Sequence, residues 1–292
     1  MTPSWTDFIA GWELFRDPIL CGLVAGAALG MLGVFIVLRR MVFISAALSQ
    51  AAGLGVALSF FAQIHLGLAG FLVDPRLGAL LMTFIAAGML RLEPRGRLTR
   101  EGMLGLAYLV ASAGTLMVGT RISQEAHDIQ AILFGTGVLV RPSDTAWVLG
   151  SAALVFAMVL WWRRGLIFAS FDPDGAKVRG LPTALLSFAI LGAIALMVSI
   201  ATRALGALPV FAFSILPAIA AIALAPSPTG ALLLAGSIGA LAGVGGYMLA
   251  FFGQFPVGAS QTLVSAILAA AAWGIRMGLS PRSASRLSVP RT

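Results

Sequence analysis

Nine long apolar segments, separated by short polar stretches, constrain the fold of this chain more than any other feature. They lie near residues 18–38, 42–64, 76–92, 102–120, 143–162, 183–202, 207–225, 229–252 and 257–278. Each is long enough, or nearly so, to cross about 30 Å of hydrocarbon as an α-helix, which satisfies its own backbone hydrogen bonds. The pattern predicts an all-α, polytopic transmembrane helical bundle with about nine spans. The third span is short, and Pro209 and Pro217 interrupt the seventh.

The scarcity of charge excludes a soluble globular protein. Only 10% of the residues are charged and 59% are hydrophobic, whereas a soluble domain carries about 25% charged residues. The alternating polarity of membrane β-barrel strands is absent from the sequence. The single cysteine, Cys21, excludes an intramolecular disulfide and a cysteine-based metal cluster. In a membrane protein, the net charge of +8 bears on orientation and not on nucleic-acid binding.

The distribution of lysine and arginine predicts how the chain is oriented. Nine spans that begin outside place 14 of the 19 basic residues on the cytoplasmic side: Arg39, Arg40, Arg91, Arg95, Arg97, Arg100, Arg163, Arg164, Lys177, Arg179, Arg276, Arg282, Arg286 and Arg291. The other five lie on the outer side: Arg16, Arg76, Arg121, Arg141 and Arg203. Because cytoplasmic loops are enriched in basic residues, we expect an outer N-terminus and a cytoplasmic C-terminus.

Three regions follow from the same pattern. Residues 1–15 contain Trp5 and Trp12 but no basic segment or cleavage site typical of a signal peptide, which predicts an interfacial N-terminal segment. Residues 16–279 form a single transmembrane domain. Residues 280–292 are rich in Ser, Arg and Pro, which predicts a disordered cytoplasmic tail.

A polar stretch at residues 170–180 lies between two of the apolar segments. Asp172 and Pro173 suit the N-cap and first position of a helix, and Gly180 can end that helix in a left-handed conformation. The spacing predicts a short polar helix at the cytoplasmic surface. From spacing alone, an ordinary loop and a docking site for a soluble partner are equally compatible with it.

This stretch resembles the cytoplasmic coupling helix of ABC-type permeases that import zinc, manganese or iron, whose pattern is close to S-F-D-P-x-x-A-x-x-x-G. The matching residues are Ser170, Phe171, Asp172, Pro173, Ala176 and Gly180. The resemblance implies a fold of the vitamin-B12/metal-importer type. It also implies that residues 172–180 dock on a separate ATPase subunit, with contacts from Phe171, Asp172, Pro173, Ala176, Lys177 and Gly180.

The second span also resembles that family, but it departs from the pattern at two positions. After Arg-Arg-Met, relatives carry an Asp and then a His four residues on, where this chain has Ala46 and Gln50. An alanine cannot ligate a metal ion, and an amide oxygen is a weak ligand for Zn²⁺ or Mn²⁺. Gln50, with Ser45 and Ser49, either lines a transport pathway or forms a hydrogen bond between helices.

Two further segments resemble the family. Residues 206–218 match its G-x-L-x-V-F-A-x-x-x-x-P-A pattern, and Pro217 there predicts a broken helix that lines the pathway. Residues 121–142, on the outer side, include a similar D-x-x-x-x-L-F-G pattern. Glu125, His127 and Asp128 in that segment are candidate metal ligands, although we favour a solvated loop or a contact with a binding protein, because loops commonly collect such residues.

Small residues four apart predict close helix packing. Gly22, Gly26 and Gly30 lie in the first span, and Gly239 and Gly243 lie in the eighth. Such a pattern lets two helix backbones approach each other. We favour packing within one chain over a seam between two chains.

Several classes of membrane protein are excluded or disfavoured. The only lysine, Lys177, does not follow a P-loop, so the chain lacks the site with which it could hydrolyse ATP itself. The two histidines, His65 and His127, form no H-E-x-x-H motif of an intramembrane zinc protease. All 11 acidic residues lie in loops or at span ends, which disfavours a carrier driven by a proton or sodium gradient.

The resemblance as a whole, over residues 16–278, implies a permease subunit and not an enzyme. It implies a homodimer in the inner membrane of a prokaryote, an ATPase subunit that binds ATP and Mg²⁺, an extracytoplasmic solute-binding protein, and no cofactor on this chain. The expected cargo is a divalent metal ion of the zinc, manganese or iron class. Two alternatives stay open: an ABC permease for a metal chelate or small organic solute, which Ala46 and Gln50 favour, and a gradient-driven carrier.

Overall fold

The computed structural model describes residues 4–68, 70, 73–89, 99–122 and 140–279. Twelve helices, and no strands, occur in these ranges. They are α1 (Trp5–Ala10), α2 (Trp12–Leu38), α3 (Val42–His65), α4 (Pro75–Met89), α5 (Arg100–Ile122), α6 (Pro142–Phe171), α7 (Pro173–Val178), α8 (Thr183–Leu205), α9 (Ala207–Phe213), α10 (Leu216–Leu224), α11 (Pro228–Gly253) and α12 (Val257–Leu279).

The predicted all-α bundle is confirmed. Among the described residues, eight helical stretches are long and apolar enough to cross a membrane, and one of them, Ala207–Leu224, comprises α9 and α10. The predicted third span corresponds to α4, which has only 15 residues. The chain is therefore a multi-pass membrane protein, and nine apolar segments match the expected positions.

The fifth predicted span, 143–162, differs from the structure because α6 continues to Phe171. Arg163 and Arg164 end the apolar segment, but arginine is a good helix former, and no proline interrupts the helix before Pro173. The extra nine residues, 163–171, carry the helix about 14 Å beyond the predicted span at 1.5 Å per residue. This extension leads directly into α7.

The glycine pattern of α2 packs against α11 within the same chain, as the sequence favoured. A Cβ on Gly26 would overlap the carbonyl oxygen of Gly239, and a Cβ on Gly239 would overlap the carbonyl oxygen of Gly26. Gly22 lies in the same way against Gly243. Their contact explains why residues with larger side chains are absent at these positions.

The seventh predicted span is divided into two helices. The α9 helix ends at Phe213 and α10 begins at Leu216, with Ser214 and Ile215 between them. Pro217 occupies the first turn of α10, as expected for a residue without a backbone N–H. A Cβ on Gly33 would overlap the carbonyl oxygen of Ser214, so this break packs closely against α2.

The N-terminal segment packs onto the bundle through aromatic side chains. Phe8 of α1 is buried, and its ring lies 5.2 Å from that of Phe251 in α11. The Trp5 ring lies 4.7 Å from that of Phe252, while Trp5 itself is largely exposed. The α2 helix begins at Trp12, so residues 12–15 of the predicted N-terminal segment form its first turn.

Candidate coupling helix and transport pathway

The polar stretch at 170–180 forms the short helix that the sequence predicted. The α6 helix ends at Phe171, and its C-cap is Asp172, whose backbone N–H donates to the Phe168 carbonyl at 2.9 Å. The same residue caps α7, because its Oδ1 accepts a hydrogen bond from the Gly175 N–H at 2.9 Å. Pro173 occupies the first turn of α7. One aspartate therefore both ends α6 and begins α7.

The other end of α7 is closed by Gly180. Its φ of +74° lies in the left-handed region that glycine adopts without strain. Its N–H donates to the Lys177 carbonyl at 2.9 Å, and the Leu181 N–H donates to the Ala176 carbonyl at 3.0 Å. The Arg179 guanidinium lies 5.0 Å from the centre of the Phe168 ring. These contacts fix the direction in which the chain enters α8.

The residues predicted to dock on a partner divide into an inner and an outer set. Ala176 is fully buried in the main hydrophobic core, so it anchors α7 to the bundle. Phe171, Asp172, Pro173, Lys177 and Gly180 are exposed. Val178, which the sequence argument did not single out, is 89% exposed and therefore the most open apolar side chain of this helix.

Arg39, at the end of α2, joins the two helices that flank α7. Its Nε donates to Ser170 Oγ at 3.0 Å, and its Nη1 donates to Ser187 Oγ at 3.0 Å. The Nη2 atom is buried without a hydrogen-bond partner among the described residues. Burial lowers the pKa of the Arg39 guanidinium from its usual value, although arginine stays charged at neutral pH.

The predicted pathway residues of the second span lie in the first half of α3, near the α7 end of the bundle. Ser45, Ala46 and Ser49 are buried, and the two serine hydroxyls donate to carbonyls of their own helix, those of Val42 and Ala46. Gln50 is half-buried, and its side chain forms no hydrogen bond with the part of the chain that the structure describes. Gln50 lies about 12 Å along the helix from Val42.

Pro217, the remaining predicted pathway residue, lies against the middle of α2. A Cβ on Gly30 would come within 3.4 Å of the Pro217 Cβ, so the proline packs against the same helix whose end carries Arg39. The α9 helix that precedes the break packs against α3. The two predicted pathway elements are therefore connected through α9, which packs against α3 and directly precedes the break at Pro217.

The predicted outer metal ligands, Glu125, His127 and Asp128, lie outside the described residues. Within the described ranges, no group of three or more His, Cys, Asp or Glu side chains could hold a metal ion.

Charged residues that the sequence did not pair form a network at the opposite end of the bundle from α7. Asp144, at the start of α6, accepts hydrogen bonds from Arg76 Nε at 2.8 Å and from Arg203 Nε at 3.2 Å. Arg203 Nη1 also lies 4.0 Å from Asp74. The exposed fractions of the Asp144 and Arg203 side chains are only 11% and 14%. The network joins the start of α4 and α6 to the end of α8.

Gln261, in α12, is a second polar side chain that the sequence argument missed. It is fully buried, and its Nε2 donates to the Gly243 carbonyl at 3.2 Å. A Cβ on Gly246 would meet the Gln261 backbone. In the sequence, Gln261 and Gln50 look alike, because each is an amide within an apolar helix. Only the packing shows that Gln261 is fully buried and Gln50 half-buried.

Comparison with protein families gives a match over almost the whole chain. Residues 12–275 match the family model described as the ABC 3 transport family. The solved structure of PsaBC from Streptococcus pneumoniae in complex with Fab superposes with a TM-score of 0.80 at 25% identity, over 92% of this chain and 95% of that chain.

Two curated relatives carry names that state a cargo. The manganese import system permease protein ScaB of Streptococcus parasanguinis is 28% identical, and the match covers 90% of this chain and 91% of the relative. The high-affinity zinc uptake system membrane protein ZnuB of Haemophilus influenzae is 27% identical, and the match covers 88% of this chain and 95% of the relative.

Proposed function

The chain belongs to the ABC 3 transport family, and on this premise we propose that it is the membrane-spanning permease subunit of an ABC importer for a divalent metal ion. Relatives of nearly the same length are named as permeases for manganese and as membrane proteins for zinc uptake. Mn²⁺ and Zn²⁺ are therefore the first candidates for the cargo, and Fe²⁺ is the third member of the expected class.

The observation that carries this proposal is the form of α7. It is a capped helix whose inner side is anchored by Ala176, while Phe171 and Val178 remain exposed. Exposed apolar side chains on a fixed polar helix suit a groove on a soluble protein. The occupant we propose is the ATPase subunit, which would bind ATP and Mg²⁺; this chain contributes no P-loop.

The remaining parts of the importer follow from the family. We propose that two copies of this chain enclose the pathway and that an extracytoplasmic solute-binding protein delivers the ion. Closure of the ATPase dimer on ATP would draw the two α7 helices together. The long α6 would carry that movement into the bundle, and the break between α9 and α10 would let the pathway open on alternate sides.

A panel of metal ions tests the proposed cargo. The chain, with its cognate ATPase and binding protein, is reconstituted into vesicles, and uptake of Zn²⁺, Mn²⁺ and Fe²⁺ is measured with and without ATP. We expect ATP-dependent uptake of Mn²⁺ or Zn²⁺. Uptake that is independent of ATP would contradict the ABC mechanism. ATPase activity that is stimulated only by a chelate or organic solute would contradict the metal cargo and support the alternative that Ala46 and Gln50 suggest.

A substitution in α7 tests the docking role. Asp172→Arg places a bulky cation on the exposed helix, and we expect ATP-driven uptake to be lost while the protein still folds. Asp172→Asn is the matched control, because asparagine caps helices as well as aspartate does. Normal uptake by a correctly folded Asp172→Arg variant would count against docking at this surface.

A further inference from the structure

Arg39 holds together three helices at the end of the bundle where α7 lies. Arg39 is the C-terminal cap of α2. Its guanidinium donates to Ser170 in the last turn of α6 and to Ser187 near the start of α8, both at 3.0 Å. These two serines lie on either side of α7 in the sequence. Any movement of α7 that displaces its flanking helices must therefore move or break these hydrogen bonds.

The hydrogen bonds from Arg39 to Ser170 and Ser187 are suited to transmit a movement of α6 and α8 to α2. The guanidinium is planar and can donate in two directions at once, which a lysine cannot reproduce with the same geometry. Hydrogen bonds from a charged donor are stronger than neutral ones, and more so away from water. Ser170 is buried, and its hydroxyl also donates to the Leu166 carbonyl at 2.7 Å, which fixes its direction.

The same residue adjoins the start of α3. The Arg40 backbone has a φ of +56°, and the Met41 N–H donates to the Ile36 carbonyl at 3.0 Å, so the turn between α2 and α3 is short and closed. Ser45, the first of the predicted pathway residues, is fully buried one turn later. Only Arg40 and Met41 separate Arg39 from the start of α3, so a displacement of Arg39 would also displace the helix that contains Gln50.

We propose that Arg39 is the positioning residue that couples α7 to the pathway helix α3. In this arrangement the ATPase moves α7, the flanking helices α6 and α8 move with it, and Arg39 passes the displacement to the turn that begins α3. This inference rests on the proposed function, because it assigns a role within an ATP-driven transport cycle. Arg39 is proposed to touch neither the ion nor ATP.

The test measures how many metal ions enter for each ATP hydrolysed. The full complex with its ATPase and binding protein is reconstituted in vesicles, and radioactive Mn²⁺ uptake and phosphate release are followed on the same sample. Arg39→Gln removes the charge and the forked donor. Arg40→Gln is the matched control, because Arg40 is the exposed neighbour with the same charge and neither change alters the backbone preference.

For Arg39→Gln we expect the number of ions per ATP to fall about tenfold or more, since two hydrogen bonds from a charged donor are lost. ATP hydrolysis and copurification of the ATPase should stay close to normal, and Arg39→Lys should recover part of the ratio. Arg40→Gln should leave the ratio unchanged. An unchanged ratio for Arg39→Gln would overturn the proposal, as would a loss of ATPase binding that accounts for the whole defect.

A second set of variants keeps the test decisive if Arg39→Gln does not fold. Ser187→Ala removes one acceptor from a half-buried position, and the Ser170→Ala, Ser187→Ala double variant removes both. The ratio should fall in the single variant and fall further in the double variant. Wild-type ratios in both would overturn the proposal. A wild-type complex without ATP-dependent uptake of Mn²⁺, Zn²⁺ or Fe²⁺ would instead contradict the proposed function, so the two failures are distinguishable.

Discussion

The backbones of Gly26 and Gly239 are in such close contact that neither residue has room for a Cβ atom. The contact joins α2, whose C-terminal cap is Arg39, to the adjacent helix α11. We expect Gly26→Ala to lower the free energy of unfolding by about 1–3 kcal/mol, because an added methyl group in a packed interior forces the backbones apart. SDS titration of the purified protein measures the change.

Gly192→Ala is the control for that experiment. Gly192 also lies inside a span, but a Cβ there would meet no atom within 4 Å. Because alanine is the better helix former, this variant should be as stable as the wild type or slightly more so. Equal losses of stability at both positions would contradict the packing between α2 and α11.

Asp144 gives a second prediction, about the network opposite α7. Asp144→Asn should lower the free energy of unfolding by about 3 kcal/mol, because two mostly buried arginines lose their counter-charge. Adding Arg203→Gln to this variant should restore part of the loss. Asp174→Asn is the control, since its pairing with Lys177 is exposed to solvent and should contribute almost nothing. SDS titration of each purified variant measures the change. An Asp144→Asn variant as stable as the wild type would show that the network does not stabilise the fold.

The exposed apolar side chain of α7 leads to a third prediction. Val178→Asp should reduce the amount of ATPase that copurifies about tenfold, because burial of a valine side chain contributes about 1.5–3 kcal/mol and a buried carboxylate opposes binding. The stability of the isolated chain should not change, since Val178 is 89% exposed. Phe255→Asp, an equivalent change at an exposed position near the other end of the bundle, should leave ATPase binding intact. Equal losses in both variants would argue against docking on α7.

The two membrane glutamines should behave in opposite ways. Gln50→Ala should reduce metal uptake about tenfold without loss of stability, because its side chain forms no hydrogen bond with the described part of the chain and polar groups at that depth serve a pathway. Gln261→Ala should cost about 2 kcal/mol of stability through a cavity and a lost hydrogen bond to Gly243. Uptake per folded protein should be normal for Gln261→Ala. The reverse pattern would show that Gln50 is structural.

Local features of the fold were predictable from the sequence because they depend on neighbouring residues. The hydropathy of each segment located the spans, Pro217 indicated the interrupted helix, and Asp172, Pro173 and Gly180 defined both ends of α7. The end of α6 was not predictable in this way, because hydropathy marks the edge of the lipid and not the end of a helix. The pattern S-F-D-P also led to the family, which the match over residues 12–275 confirms.

Only the tertiary structure decided which residues meet. Arg39 lies 131 positions from Ser170 and 148 from Ser187, and nothing in the local sequence pairs them. The sequence favoured packing of Gly26 within one chain but did not identify Gly239 as its partner, because small residues four apart suit either kind of contact. In a membrane the lipid-facing and protein-facing sides of a helix are both apolar. Periodicity therefore cannot orient a helix there, and the approach of distant backbones determines which polar groups become partners.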